Sequence, residues 1–221
     1  EADIKYVYIH GARRNAYLIS FLCTFCRCNP VWELDYTMRS EQVIRLAEAL
    51  LEHPIAREHV DTRRAVVKIR TDNGPQFIAK KLAEALGGLG VAHEFIEPGT
   101  PQQNGHIESF HSTVTRLVCN RNVFEDLTHA KEIFSEFFFA YNNVRAMRVL
   151  LHYPPVAFLN LWKSGAVGVK KDKREREIFF FREKPTPIPE AGLSAEVLLG
   201  LNKFNTFENQ LLRTKEISPV L

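Results

Sequence analysis

Long apolar runs are missing from this chain. None approaches the ~18 residues of a membrane span, and no basic-then-apolar leader precedes the first charged positions, so a membrane protein is not expected. Cysteine is scarce as well: four in 221 residues cannot make a disulfide framework, which points to a reducing, cytoplasmic setting. Three of the four crowd into Cys23-Thr24-Phe25-Cys26-Arg27-Cys28. A zinc site needs a fourth ligand at suitable spacing, and the nearest histidine is His10, so free cysteines packed in a strand and turn are expected. An excess of one charge is also lacking. A net charge of +3 permits a local nucleic-acid patch without itself indicating one. No internal repeat is present, and the first residue is Glu rather than Met, as in a fragment of a longer chain. What remains is an ordinary globular composition, 45% hydrophobic and 25% charged, long enough for one domain and an appendage.

Two acids stand out by their settings. The apolar, β-branched run Ala65-Val66-Val67-Lys68-Ile69-Arg70-Thr71 ends at Asp72, and Asn73-Gly74 follows at once as a turn signal. An Asp there projects from the end of a buried strand, where a parallel strand hands over to a loop and helix. Glu108 lies instead in a helical pattern, with Ile107, Phe110, Val114, Leu117 and Val118 forming one apolar stripe. At about 100° per residue, Asn104, Glu108, His111 and Thr115 share a flank of that stripe. Glu108 therefore sits at the edge of the core, where it can face a cleft.

Thirty-five residues separate the two acids. That interval resembles the catalytic core of retroviral-type integrases, with Thr71-Asp72-Asn73-Gly74 before it and the block Pro98-Gly99-Thr100-Pro101-Gln102-Gln103-Asn104-Gly105-His106-Ile107-Glu108-Ser109 at its end. More closely it resembles the bacterial insertion-sequence transposases that share the core. The family places a third acid on its first strand, and Asp3-Ile4-Lys5-Tyr6 fits that setting. Tyr141-Asn142-Asn143-Val144-Arg145, then Tyr153-Pro154-Pro155 and Phe158, is similar to the end of such cores. The likeness covers roughly residues 3 to 160.

In chain order, residues 3–9, 16–23 and 28–36 read as three consecutive strands, so part of the sheet is antiparallel. Ser40 is the expected N-cap of a helix reaching about His53. A charged connector, Arg57 to Arg64, leads to the strand ending at Asp72. A helix is expected from about Pro75 to Gly87-Gly88, a short strand from Val91 to Ile96, the Glu108 helix, and an apolar helix around Ala130, Phe134, Phe137, Phe138 and Tyr141. The pattern is α/β. The resemblance implies a ribonuclease-H-like mixed five-stranded sheet flanked by helices, with a core at 1–162 and a charged, Pro-containing C-terminal extension at 163–221. In that extension Lys170 to Glu177 is a charge run, either a solvated connector or a DNA-backbone contact. Ile178-Phe179-Phe180-Phe181 reads as a strand, Pro185, Pro187 and Pro189 exclude a helix, and Ser194 caps a short helix from Ala195 to Leu201. Residues 164–190 are expected to pack loosely.

The resemblance implies that Asp3, Asp72 and Glu108 are catalytic and bind Mg²⁺ or Mn²⁺ as two ions. It also implies DNA as partner, both element ends and target, with homo-oligomers on the DNA in a bacterial nucleoid. Gln103, Asn104 and His111 line the same approach and are expected to meet DNA; for His111 a half-exposed helix histidine is the equal alternative. Lys80, Lys81, Arg116 and Arg121 are candidate phosphate contacts, which position a duplex without reading it. Three positions depart from the family pattern. Thr115 stands where Lys or Arg is usual, Cys23 where the second strand has Asp, and Met147 where His often follows the Tyr-Asn-x-x-Arg segment. A non-catalytic DNA-binding or assembly module derived from a transposase is the alternative reading.

Overall fold

The first three strands form an antiparallel sheet in the order β1 (Ala2–Ile9), β2 (Arg14–Phe21), β3 (Val31–Asp35). The computed structural model describes residues 1–57 and 67–182. Most of the Arg57–Arg64 connector, Ala65-Val66, the three late prolines and the helix expected after Ser194 lie outside the described residues. The chain forms two units, Glu1–Phe137 and Phe138–Leu221.

Within the first unit, β1 alternates as a sheet strand should: Val7 and Ile9 are buried while Tyr6 and Tyr8 point to solvent. The turn into β2 is pinned from outside, since the N–H groups of His10 and Gly11 both donate to the Phe124 carbonyl, at 2.9 and 3.2 Å. Gly11 is required there because a Cβ would come within 1.8 Å of the Glu125 carbonyl oxygen. One face of β1 and β2 contributes Ala2, Ile19 and Phe21 to a core completed by Val43, Leu46 and Ala47 of α1 (Ser40–Glu52) and by Leu82 and Leu86 of α2 (Lys80–Gly88). The opposite face carries Asp3, Val7 and Ile9 by strand alternation, and α3 (Gly105–Leu117) packs on β1.

Ser40 is not the cap of α1. Arg39 holds the N-cap position, and its N–H is taken by the Gln42 side chain at 2.8 Å. Gln42 is fixed in turn by donating to Glu33 and to the Thr37 carbonyl, so a long amide outcompetes the hydroxyl. The second helix also starts later than Pro75. Phe77 and Ile78 donate their N–H groups to the Gly74 carbonyl, which makes a separate turn that plugs buried Phe77 into the core. Helix α2 begins only at Lys80.

The strand β4 (Lys68–Thr71) pairs in parallel with β5 (Ala92–Phe95), with α2 between them in sequence. β1 and β4 are neighbours in space, yet the recorded ladders among the described residues are separate, three strands and two. The architecture is α/β with strands of both senses, and its ladders are shorter than one five-stranded sheet.

Helix α4 (Leu127–Asn143) carries the Phe-rich pattern, and Ala130, Phe134, Phe137, Phe138 and Tyr141 are all buried. In the first unit Phe134 stacks on Phe124 with ring centres 5.7 Å apart and lies 6.4 Å from Trp32. In the second unit α5 (Pro155–Lys163) precedes a hairpin of β6 (Val167–Lys171) and β7 (Glu177–Phe181). The strand at residues 178–181 is present, and the charge run before it, still mostly exposed, forms an arm and the turn of a hairpin rather than a plain connector. The Asp172 carboxylate accepts the N–H groups of Arg174 and Arg176 and pairs with the Arg176 guanidinium at 2.7 Å, which closes the hairpin turn. Phe179 then packs on Phe158 and Trp162. Much of the charge in this segment is spent on turn geometry, and the phenylalanines supply apolar contact.

Candidate active site

The sequence-marked acids lie on three elements of the first unit that are joined through Glu1, which touches Ile107 of α3 and Arg70 of β4. Asp3 is the second residue of β1, Asp72 follows the last residue of β4, and Glu108 lies in the first turn of α3. β1 neighbours both β4 and α3.

Each acid is held differently. One oxygen of Asp3 accepts the Ile4 N–H at 2.8 Å, and the other lies 3.3 Å from Nδ1 of His111. Its cross-strand partner is Ser20, fully buried, whose hydroxyl meets no hydrogen-bond partner among the described residues. One oxygen of Asp72 accepts the Gly74 N–H at 2.9 Å, an Asx turn that fixes the carboxylate beside the strand end. A Cβ on Gly74 would come to 3.0 Å from that same oxygen, so glycine keeps the turn tight. Glu108 is exposed, and its carboxylate makes no ion pair or hydrogen bond among the described residues.

The elements are tied together by residues that the sequence reading passed over. Glu1 continues the β1 ladder, exchanging both backbone hydrogen bonds with Leu22. Its side chain is 3% exposed, and Oε2 accepts the Ile107 N–H of α3 at 2.8 Å while Oε1 lies 3.9 Å from Nη1 of Arg70. Arg70, in β4, also donates to the Gln103 carbonyl at 3.0 Å and to Glu94 at 2.8 Å. The Arg70 guanidinium holds the exposed Glu94 carboxyl below its ordinary range. A signal existed: Glu1 and Arg70 each stand two residues before an acid, hence on the same strand face.

The DNA candidates divide by exposure. Lys80 is 91% exposed and lies 3.6 Å from Glu84, one helical turn on. Lys81 pairs with Glu41. Arg116 is exposed and makes no ion pair among the described residues. Gln103 braces the preceding loop, its side-chain oxygen accepting the Glu97 N–H at 2.9 Å. Asn104, at the N-cap of α3, is buried, and its Oδ1 is unpaired among the described residues. His111 is buried too, neither half-exposed nor open to a ligand, and behind its contact to Asp3 its Nε2 is unpaired among the described residues. Thr115 turns its hydroxyl back to the His111 carbonyl at 2.9 Å.

The donor set suits a hard divalent cation in kind: carboxylate oxygens, with those of Glu108 and one of Asp72 uncommitted. Among the described residues no three His, Cys, Asp or Glu side chains are grouped tightly enough to hold a metal ion. Elsewhere, none of the four cysteines forms a disulfide among the described residues. Burial raises Cys28, and a hydrogen bond with Cys23 together with burial raises Cys26, so both are held as neutral thiols.

Family models described as Integrase core domain match residues 1–101 and 89–155. The chain belongs to the integrase core family. Among its relatives is the insertion element IS476 uncharacterized 39.2 kDa protein of Xanthomonas euvesicatoria, 33% identical over 90 residues, which are 41% of this chain and 26% of that protein. The insertion element IS407 uncharacterized 31.7 kDa protein of Burkholderia multivorans is 32% identical over 90 residues, 41% of this chain and 32% of that protein. The match thus spans about a quarter to a third of these relatives. In fold the chain is similar to a chain of the simian T-cell lymphotropic virus intasome complexed with PP2A regulatory subunit B56 gamma, with TM-score 0.52 and 12% identity over 85% of this chain and 57% of that one. It is also similar to the catalytic domain of Mos1 mariner transposase, with TM-score 0.51 and 20% identity over 63% of this chain and 68% of that one. The integrase core fold is therefore the fold of this chain. No described helix is long and apolar enough to cross a membrane.

Proposed function

We propose that this integrase core carries out metal-dependent phosphodiester hydrolysis and DNA strand transfer, as part of an insertion-sequence transposase acting in a bacterial nucleoid. The observation that carries the proposal is the joining of β1, β4 and α3 through Glu1, with an acid one or two residues from each contact. Asp3, Asp72 and Glu108 are the residues that would hold two Mg²⁺ or Mn²⁺ ions. Such a pair, when bound, stabilises the attacking and leaving oxygens of an in-line displacement. The first reaction adds water across a phosphodiester and frees a 3′-hydroxyl at the element end. In the second, that hydroxyl attacks a target phosphodiester, and one ester bond replaces another without ATP.

Residues of this chain prepare the site. His111 orients Asp3 through its Nδ1 contact, the Asx turn orients Asp72, and Glu108 stays open to solvent at the first turn of α3. Lys80, Lys81 and Arg116 offer cationic contacts to the DNA backbone, while Gln103, Asn104 and His111 shape the approach from behind. The side-by-side placement of β1 and β4 supports one mixed sheet in the order β3-β2-β1-β4-β5. We assign residues 1–162 to the core and 163–221 to an extension, with homo-oligomers forming on DNA.

A second reading, a non-catalytic DNA-binding module, is favoured by one observation: the His111 contact already occupies an oxygen of Asp3. Metal-dependent nicking and strand transfer on element-end DNA, compared with Asp72→Asn, separates the two. Products from wild type alone support the enzyme. DNA binding without products from either protein supports the module.

A further inference from the structure

We infer that Glu1 is a positioning residue for the acid site, a buried carboxylate that sets where Glu108 stands relative to Asp3 and Asp72. The inference rests on the metal-site reading above. Three contacts meet at this side chain or beside it: Oε2 accepts the Ile107 N–H, Oε1 faces Arg70, and Arg70 donates to the Gln103 carbonyl just before α3. Ile107 immediately precedes Glu108, Arg70 stands two residues before Asp72, and Glu1 two before Asp3. Strand alternation puts Glu1 on the Asp3 face of β1 and Arg70 on the Asp72 side of β4. Behind the three acids is thus a second set of contacts, each one or two residues from an acid and mutually joined.

The chemistry explains the carboxylate. A side chain only 3% exposed would carry a costly unpaired charge. Here it meets a guanidinium and a helix N-terminal N–H, where the backbone dipoles favour negative charge. Neither partner is on its own strand, so the pairing fixes α3 and β4 against β1. A positioning group in this place acts on the ligands, and outer-shell partners of metal ligands typically carry about 10–100-fold in metal affinity.

The test uses the full chain behind an initiator Met, whose amide leaves Glu1 an N–H for the Leu22 carbonyl. Wild type, Glu1→Ala, Glu1→Gln and the core variant Phe77→Leu are compared for metal-free melting temperature and for the Mn²⁺ concentration giving half the metal-induced rise in melting temperature. Glu1→Ala is expected to raise that midpoint by about tenfold. Glu1→Gln keeps an acceptor for Ile107 and should recover most of the loss. Phe77→Leu should lower the melting temperature without moving the midpoint. A Glu1→Ala midpoint equal to wild type, with only the melting temperature lowered, would overturn the positioning role and leave the metal site standing. No metal-induced rise in wild type would remove the metal site and this inference together.

Discussion

Replacing Asp72 with Asn is the most selective perturbation of the acid site, because the structure predicts what survives it. Asp72 uses one oxygen to accept the Gly74 N–H, and the Asn side-chain oxygen can make the same Asx turn. The backbone at the end of β4 should stay in place while a charge and one free carboxylate oxygen are lost. In the wild type, an ion that binds only the native state at about 100 times its dissociation constant contributes about 2.7 kcal/mol. For a chain of this size each kcal/mol shifts the melting temperature by about 2–4 °C, so Mg²⁺ or Mn²⁺ should raise it by about 5–11 °C. Asp72→Asn should abolish that rise. Its metal-free melting temperature should equal or slightly exceed that of wild type, since the proposed site loses one of its like charges. The assay is thermal unfolding with chelator and with metal, with Glu84→Gln as a control for a surface acid. A rise of the same size in Asp72→Asn would refute the carboxylate site.

Other outcomes follow from single features. Gly11→Ala places a methyl into the Glu125 carbonyl, so the β1–β2 turn must move, at a cost of at least about 1–3 kcal/mol; chemical denaturation measures it, and an unchanged midpoint would contradict the close approach. Burial holds His93 and His53 below the ordinary histidine range. A histidine with a depressed native pKa stabilises fully above its unfolded pKa, about 6.5, and loses that contribution as pH falls below it. Melting temperature should therefore drop between pH 7.5 and 5.5, and His93→Gln should flatten part of the drop. Thr115→Lys adds a cation on the Glu108 flank, so the salt dependence of DNA affinity should steepen by about one in log–log slope. Arg116→Ala should make it shallower by a similar amount, and no change in either would place the DNA elsewhere.

Sequence by itself determined the parts governed by local periodicity. The meander of β1 to β3, the stripe of α3 and the buried Phe face of α4 follow from alternation or from steps of three and four. The spacing of Asp72 and Glu108, with Asp3 in its strand context, carried the resemblance that the family match bears out. Tertiary structure decided where side chains find partners far along the chain. Gln42 displaced Ser40 as the capping group because Glu33 and Thr37 hold its amide. The charge run became a hairpin turn because Asp172 closes it and Phe179 packs back on Phe158. In sequence, Glu1 and Arg70 show only a two-residue step to an acid. Their pairing with each other and with the start of α3 depends on contacts between residues as much as 106 positions apart, and no local pattern encodes a contact of that reach.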